Sequence, residues 1–218
     1  LHGTPPHSRT HGHCATTYDP VQRKVYFVNG DSSDPLDYYE YKDLVTGGEG
    51  ATSSFSGAAG TNFIQGYESA DFSDRWRCHI HIRQSSYPDS SNAYPYVLVI
   101  DPASGNKYRP TMSGSVPTKP AYDNIACSWS DALNCAIYIS GTGEEKVWFG
   151  KPAGDPRNTT WTWSSQDLTG TLYASDGYTG SDGRPAFNRL KHIALFGNYL
   201  LWAAATDKPY QLIRITPP

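Results

Sequence analysis

Four stretches of this 218-residue chain share one pattern: an aromatic residue, a polar turn and then an apolar strand. The aromatic positions, Tyr18, Phe72, Trp129 and Phe187, lie 54, 57 and 58 residues apart. Each stretch predicts a β-hairpin, because turn-forming residues separate two segments of strand composition. A hairpin that recurs at nearly constant spacing predicts a fold built from repeated small sheets.

The spacing and the composition of the strands favour one arrangement of those sheets. An all-β unit that repeats about every 50 residues is typical of a propeller blade. Segments such as residues 97–100 and 135–139 are apolar at successive positions, whereas a strand with one face in water alternates. We therefore expect an all-β fold, a β-propeller of about four blades, with a β-sandwich as the alternative. The expected single domain, residues 1–218, divides into units of approximately 11–61, 62–118, 119–176 and 177–218.

Two connections carry specific expectations. Residues 46–61 are small and polar, and predict an insertion or loop with no pattern of its own. Gly197-Asn198 predicts a two-residue hairpin turn between residues 192–196 and 199–205.

A family likeness rests on the first unit. Residues 9–30, with Tyr18-Asp19-Pro20 before the strand at residues 24–29, resemble a kelch-type propeller unit. Residues 100–105, IDPASG, are similar to the turn that ends such strands. The Gly-Gly pair usual in kelch blades corresponds to Asn29-Gly30 and Ser140-Gly141 and is absent from the second and fourth units.

The resemblance, to the kelch-like and galactose-oxidase-like propellers, implies a scaffold used mostly for binding, with enzymes as a minority. Such propellers usually have six or seven blades. Four blades could therefore close alone, form part of a longer protein, or be completed by other chains. An open ring would expose a large apolar face, which favours closure or a homo-oligomer.

The most unusual segment is residues 75–83, RWRCHIHIR. Because alternate residues of a strand share a face, one face would carry Arg75, Arg77, His79, His81 and Arg83. Cations on a buried face require carboxylates, an anion or water. One interpretation is a site for an anion or an acidic glycan. The other is an exposed strand or a salt-bridge network between blades that uses Glu68, Asp71 or Asp74.

Histidines suggest a second candidate site. His11 and His13 share one strand face, as do His79 and His81, and two imidazole pairs could bind a transition metal. Their spacing is not a specific ligand motif, and hydrogen bonding between blades is the alternative. Apart from such a metal ion, no cofactor is expected.

The chain has four cysteines, Cys14, Cys78, Cys127 and Cys135. If the third hairpin is centred on Asp131, Cys127 and Cys135 lie opposite one another, and a cross-strand disulfide is geometrically feasible. Buried free thiols are the alternative.

Composition narrows the function. The net charge of −3 gives no reason to expect a nucleic-acid partner, and no run of 18 apolar residues predicts a membrane span. No nucleophile-elbow, phosphate-loop or dinucleotide motif is present. Tyrosine-rich turns such as residues 85–96 have the composition of adaptable contact loops.

These observations favour a non-enzymatic binding or assembly module with a protein or glycan partner, outside the cell or on a particle surface. An extracellular carbohydrate-active enzyme or metal-dependent oxidase is one alternative. A purely structural subunit of a virion or surface fibre is another.

Overall fold

A computed structural model describes residues 15–28, 40–51, 56–57, 68–83, 96–117, 125–140, 146–170, 190–194, 198–203 and 209–216. Within these residues the chain contains strands and turns and no helix. The strands form four small sheets arranged as the blades of a four-bladed β-propeller, as the repeat predicts.

The strands follow the chain blade by blade. Blade 1 contains β1 (Ala15–Asp19), β2 (Lys24–Val28), β3 (Glu40–Asp43) and β4 (Glu49–Ala51). Blade 2 contains β5 (Ser56–Gly57), β6 (Glu68–Ser73), β7 (Cys78–Arg83), β8 (Tyr96–Asp101) and β9 (Asn106–Tyr108). Blade 3 contains β10 (Met112–Gly114), β11 (Ile125–Ser130), β12 (Cys135–Ser140), β13 (Lys146–Pro152) and β14 (Trp161–Asp167). Blade 4 contains β15 (Leu190–Ile193), β16 (Tyr199–Trp202) and β17 (Gln211–Arg214).

The first hairpins of blades 1, 2 and 3 have the same geometry. Their strands are joined by four-residue turns that end at Arg23, Arg77 and Asn134. All three residues have positive φ angles, of 56°, 52° and 49°, which few residues other than glycine adopt. The three aromatic positions from the repeat each stand one residue before the end of the first strand. The structure thus confirms the repeat for the first three units.

The fourth unit is shifted relative to the predicted repeat, and Phe187 itself lies outside the described residues. Blade 3 meets blade 4 through Ser128 Oγ, which accepts a hydrogen bond from His192 N at 3.1 Å. Blade 2 meets blade 3 through the equivalent Asp71, which accepts from Trp129 N at 2.9 Å. His192 therefore takes the place of Trp129, 63 residues further along the chain. The predicted interval of 58 residues between the third and fourth units was therefore wrong. The equivalent position in blade 4 is set by the backbone hydrogen bond from His192 to Ser128, and not by an aromatic side chain.

The fourth hairpin also differs in its turn. Ile193 pairs with Tyr199, so five residues connect the two strands, and the predicted two-residue turn at Gly197-Asn198 was wrong.

Two short strands pair with the blade that follows them in the chain. The residues of β5, within the predicted loop 46–61, pair in parallel with β9, and β4 lies in the same segment. Similarly, β10 pairs in parallel with β14 of blade 3. The loop prediction was therefore wrong for Glu49–Ala51 and Ser56–Gly57. Each short strand covers the outer edge of a blade, whose backbone groups would otherwise be exposed.

Among the described residues, two apolar cores lie between the blades. Between blades 2 and 3, Ile80 and Val99 pack with Trp129, Trp148 and Trp163. Between blades 3 and 4, residues of β12 and β13 pack with Leu190, Leu200 and Trp202. Blade 3 is thus buried on both faces, which explains its continuously apolar strands. The β-sandwich alternative was wrong, because the strands form four small sheets arranged as propeller blades and not two large stacked sheets.

Candidate functional site

The first strands of the blades lie next to one another and are linked by polar side chains. Asp71 is the centre of these links: it accepts hydrogen bonds from Trp129 N at 2.9 Å and Ser128 Oγ at 3.2 Å. Lys191 of blade 4 reaches the same carboxylate, at 2.8 and 2.7 Å from its two oxygens. An ion pair therefore joins blade 4 to blade 2, which are not neighbours, and brings three first strands around one axis.

A second carboxylate connects blades 2 and 3. Asp131 accepts hydrogen bonds from Ser73 Oγ at 2.5 Å, from Asp74 N at 2.8 Å and from Trp129 Nε1 at 2.7 Å. Both Asp71 and Asp131 thus use their oxygens to hold backbone and side chains of the adjacent blade, which is a structural use of a carboxylate.

The predicted cationic face is divided between a turn and a strand. Arg75 and Arg77 precede β7, because Arg77 ends the turn in the left-handed conformation. The Arg77 guanidinium forms ion pairs with Asp19 of blade 1 and, at 2.7 Å, with Asp74. It also lies 4.9 Å from the centre of the Phe72 ring. The prediction that the arginines share a strand face with the histidines was therefore wrong for these two. The side chain of Arg83 lies outside the described residues.

His79 and His81 do share the predicted face, opposite Cys78, Ile80 and Ile82, and both are buried. His79 Nδ1 and Thr17 Oγ1 of blade 1 are hydrogen bonded at 2.7 Å. The His79 ring also packs edge-on against Tyr26, at 4.8 Å between centroids. Burial, with His81 and Arg77 nearby, holds the pKa of His79 well below its usual value.

The contacts of Arg77 and His79 fit the interpretation as a network between blades. Asp74 was a predicted partner and pairs with Arg77. Asp19 also pairs with Arg77, although it was not predicted. The predicted Asp71 pairs with Lys191 of blade 4 instead. Anion binding at this strand remains a prediction.

The metal site also remains a prediction. His11 and His13 lie outside the described residues. The rings of His79 and His81 are 6.4 Å apart between centroids. Among the residues that the structure describes, no group of three or more His, Cys, Asp or Glu side chains could hold a metal ion.

The predicted disulfide was wrong. Cys127 pairs with Tyr138 and Cys135 pairs with Ser130, because the turn contains four residues rather than being centred on Asp131. The two thiols consequently point to opposite faces of blade 3, one into each apolar core. Cys78, Cys127 and Cys135 are buried free thiols, as the alternative proposed. Cys14 lies outside the described residues.

A cleft of about 250 Å³ opens at the outer rim between blades 2 and 3, which we call the blade 2–3 cleft. Strand β9 and the link to β10 form one wall, and the turn between β13 and β14 forms the other. The lining residues are Lys107, Tyr108, Arg109, Pro110, Thr111, Arg157, Asn158, Thr159 and Thr160. Three of these are cationic and none is a carboxylate.

The Arg157 guanidinium is fixed from behind the cleft. It forms an ion pair with Asp155 at 3.0 Å, lies 3.5 Å from Asp101 of blade 2, and donates to Trp76 O at 2.6 Å. Its buried Nε–H has no hydrogen-bond partner among the described residues. Lys107 is only 4% exposed. Arg157 and Lys107 are thus held in place by the fold, whereas Arg109 is exposed.

Sequence reasoning missed this cleft. Lys107 and Arg157 are 50 residues apart and belong to different blades. The short run Lys107-Tyr108-Arg109 is the one local signal, and it resembles any exposed strand end.

A second cleft, of about 260 Å³, opens between blades 3 and 4; we call it the blade 3–4 cleft. It is lined by residues 166–170, at the end of β14, and by Gln211–Arg214 of β17. The exposed Tyr210 precedes these last residues.

Comparison with known proteins identifies the fold without a family. The structure is similar to that of the major allergen Mala s 1 from Malassezia sympodialis, with a TM-score of 0.51, 8% identity, and coverage of 87% of this chain and 48% of that chain. Weaker similarities are to TolB from Acinetobacter baumannii (TM-score 0.43, 16% identity, 91% and 39% coverage) and to an auxiliary nutrient binding protein from Bacteroides thetaiotaomicron (0.44, 10%, 87% and 44%).

This chain therefore spans less than half the length of each of these structures. No protein-family model matches the sequence, and no curated protein is significantly similar to it. The β-propeller architecture is shown, while membership of the kelch group is not confirmed.

Nothing in the described residues has both the length and the apolar character of a membrane-crossing helix.

Proposed function

We propose that this chain is a non-enzymatic binding module that holds an acidic glycan in the blade 2–3 cleft. The observation that carries the proposal is the composition of the cleft, with three cationic side chains and no carboxylate among its lining residues. Guanidinium and ammonium groups only donate hydrogen bonds, so the complementary ligand is rich in acceptors. Carboxylate and sulfate groups on a sugar meet that requirement with charge as well as hydrogen bonds.

The other lining residues support the same ligand class. Arg157 itself adds little net charge, because Asp101 and Asp155 pair with its guanidinium, although neither carboxylate lines the cleft. The hydroxyl-bearing lining residues, Tyr108 and the threonines, add neutral groups suited to sugar hydroxyls. At about 250 Å³ the cleft lies just below the usual range for small-molecule pockets, roughly 300–1,000 Å³. It therefore suits one charged sugar unit of a chain that continues along the surface.

The lining residues also argue against catalysis in this cleft. Glycoside hydrolysis uses a pair of carboxyl groups beside the scissile bond, and none lines the cleft.

The test is a titration calorimetry series with three defined probes: a sulfated heparin oligosaccharide, an oligogalacturonate and a neutral maltooligosaccharide. We expect the two charged probes to bind, more weakly as salt is raised, and the neutral probe not to bind. Arg109→Ala removes a charge-assisted contact of about 1.5–3 kcal/mol, so affinity should fall roughly tenfold or more.

Lys42→Ala is the matched control, since Lys42 is a surface cation on blade 1 that pairs with Glu49. It should leave the affinity unchanged. Equal binding of the neutral probe, or equal effects of the two substitutions, would refute the proposal.

A further inference from the structure

The turn between β13 and β14 contains an acceptor sequence for N-linked glycosylation. Residues 158–160, Asn-Thr-Thr, match the pattern Asn-x-Ser/Thr with a middle residue other than proline. No other asparagine of the chain has a serine or threonine two positions later. A tripeptide of this kind is modified only where it lies on the surface of a secreted protein, so its place in the fold decides whether it can be used.

The structure of this turn leaves exposed the two residues that the modification requires. Thr159 Oγ1 donates a hydrogen bond to Asp155 O at 2.7 Å, and Ala153 N donates to the backbone oxygen of Thr160 at 3.2 Å. Asn158 and Thr160 are exposed. Their side chains take part in none of the hydrogen bonds of the described residues. The turn is therefore held by its backbone and by Thr159, and the Asn158 amide is accessible for reaction.

The same asparagine lines the blade 2–3 cleft. Asn158 belongs to the wall formed by the β13–β14 turn, and Tyr108 and Arg109 belong to the opposite wall. A sugar linked to Asn158 therefore starts at the cleft itself. Because an N-linked glycan is bulky and hydrophilic, it extends over a cleft of about 250 Å³ and meets the hydroxyl groups that line it.

We propose that Asn158 is an N-glycosylation site whose glycan covers the blade 2–3 cleft and thereby excludes the free acidic ligand; this last consequence rests on the proposed function. In the transfer, Asn158 Nδ2 forms a bond to the anomeric carbon of a lipid-linked oligosaccharyl diphosphate. The bond from that carbon to the diphosphate oxygen breaks, the lipid diphosphate leaves, and Nδ2 loses one proton. The reaction requires a secretory compartment, in keeping with the expected location outside the cell.

The first test identifies the modified residue. The chain is secreted from eukaryotic cells that make high-mannose glycans, and its intact mass is measured before and after treatment with endoglycosidase H. We expect one glycan, which Asn158→Gln and Thr160→Ala abolish. Thr160→Ser keeps the acceptor pattern and should keep the glycan. A secreted chain without a glycan, or one whose glycan survives Asn158→Gln, would overturn the proposal.

The second test measures whether the glycan covers the cleft, independently of any ligand. Arginines are labelled with phenylglyoxal in the glycosylated chain and in the same sequence made in the bacterial cytoplasm, where it carries no glycan. Arg109 should react several-fold more slowly in the glycosylated chain. Arg23 is the internal control, because it is exposed on blade 1, and should react equally in both forms. Equal labelling of Arg109 would show that the glycan points away from the cleft.

The third test joins the glycan to binding. The sulfated heparin oligosaccharide should bind the unglycosylated chain, and the glycosylated chain should bind it more weakly by roughly tenfold or more. Equal binding to both forms would refute exclusion by the glycan and leave the proposed function intact. If neither form binds, the proposed function is wrong, while the glycosylation site and its position over the cleft still stand on the mass and labelling results.

Discussion

Replacing Asp71 should show how strongly the first strands of the blades are bound to one another. In Asp71→Ala the Trp129 N–H, which is buried between blades 2 and 3, loses its acceptor. A buried donor left without a partner costs about 1–3 kcal/mol. The Lys191 side chain is 62% exposed, so the loss of its ion pair adds less than about 1 kcal/mol. The free energy of unfolding should therefore fall by about 1–4 kcal/mol, mostly through the backbone contact.

Two variants separate these contributions. Asp71→Asn keeps an oxygen that can accept from Trp129 N–H, and should cost less than Asp71→Ala. Lys191→Met removes only the ion pair and should cost under about 1 kcal/mol. Equilibrium urea unfolding followed by tryptophan fluorescence measures all three, with the slope m unchanged. The reasoning fails if Lys191→Met costs as much as Asp71→Ala, or if Asp71→Ala changes stability by less than about 0.5 kcal/mol.

Three further predictions follow from single sites. Burial holds the pKa of His79 well below 6.5, so protons bind preferentially to the unfolded chain. The free energy of unfolding should therefore fall as the pH drops below about 6.5. In urea unfolding at a series of pH values, His79→Gln should reduce this dependence on pH. Gly150→Ala places a Cβ 2.6 Å from the Trp163 ring and should cost about 1–3 kcal/mol, whereas Gly154→Ala, with its nearest atom at 3.7 Å, should be nearly neutral in the same assay. The three described thiols are buried, with pKa values raised to about 12 for Cys78 and Cys135; intact-mass analysis should find them alkylated by iodoacetamide only after unfolding, and a disulfide between any two would contradict the structure.

The sequence predicted those parts of the fold that depend on local patterns. The spacing of Tyr18, Phe72 and Trp129 identified three blades, because hairpin turns and aromatic strand ends are encoded within a few residues of each other. The alternation of His79 and His81 with Ile80 identified the two faces of β7 correctly.

Errors arose where contacts between distant residues decide the structure. The start of β7 follows from Arg77, and nothing in an arginine signals a left-handed conformation. The fourth unit is aligned by the hydrogen bond between Ser128 and His192 N, which a search for aromatic residues cannot detect. The strand β5 exists because β9 provides its partner.

The candidate site was unpredictable for the same reason. Arg157 faces Lys107 only because blades 2 and 3 pack through their tryptophan-rich core. The predicted arginines were noticed because they lie within one nine-residue segment, but Arg77 forms ion pairs with Asp19 and Asp74. The cationic residues that cluster in the sequence are therefore not the ones that cluster at the cleft in the structure.

The central claim is that four blades surround one axis, and zero-length cross-linking tests it directly. A carbodiimide joins a lysine to a carboxylate in contact with it. Lys191 and Asp71 are 120 residues apart and meet only when blade 4 reaches across to blade 2. Mass spectrometry of the digested monomer should find a peptide linking Lys191 to Asp71, absent in Lys191→Met. Its absence from the unmodified chain, in a sample where the local pair Lys42–Glu49 is cross-linked, would contradict the propeller arrangement.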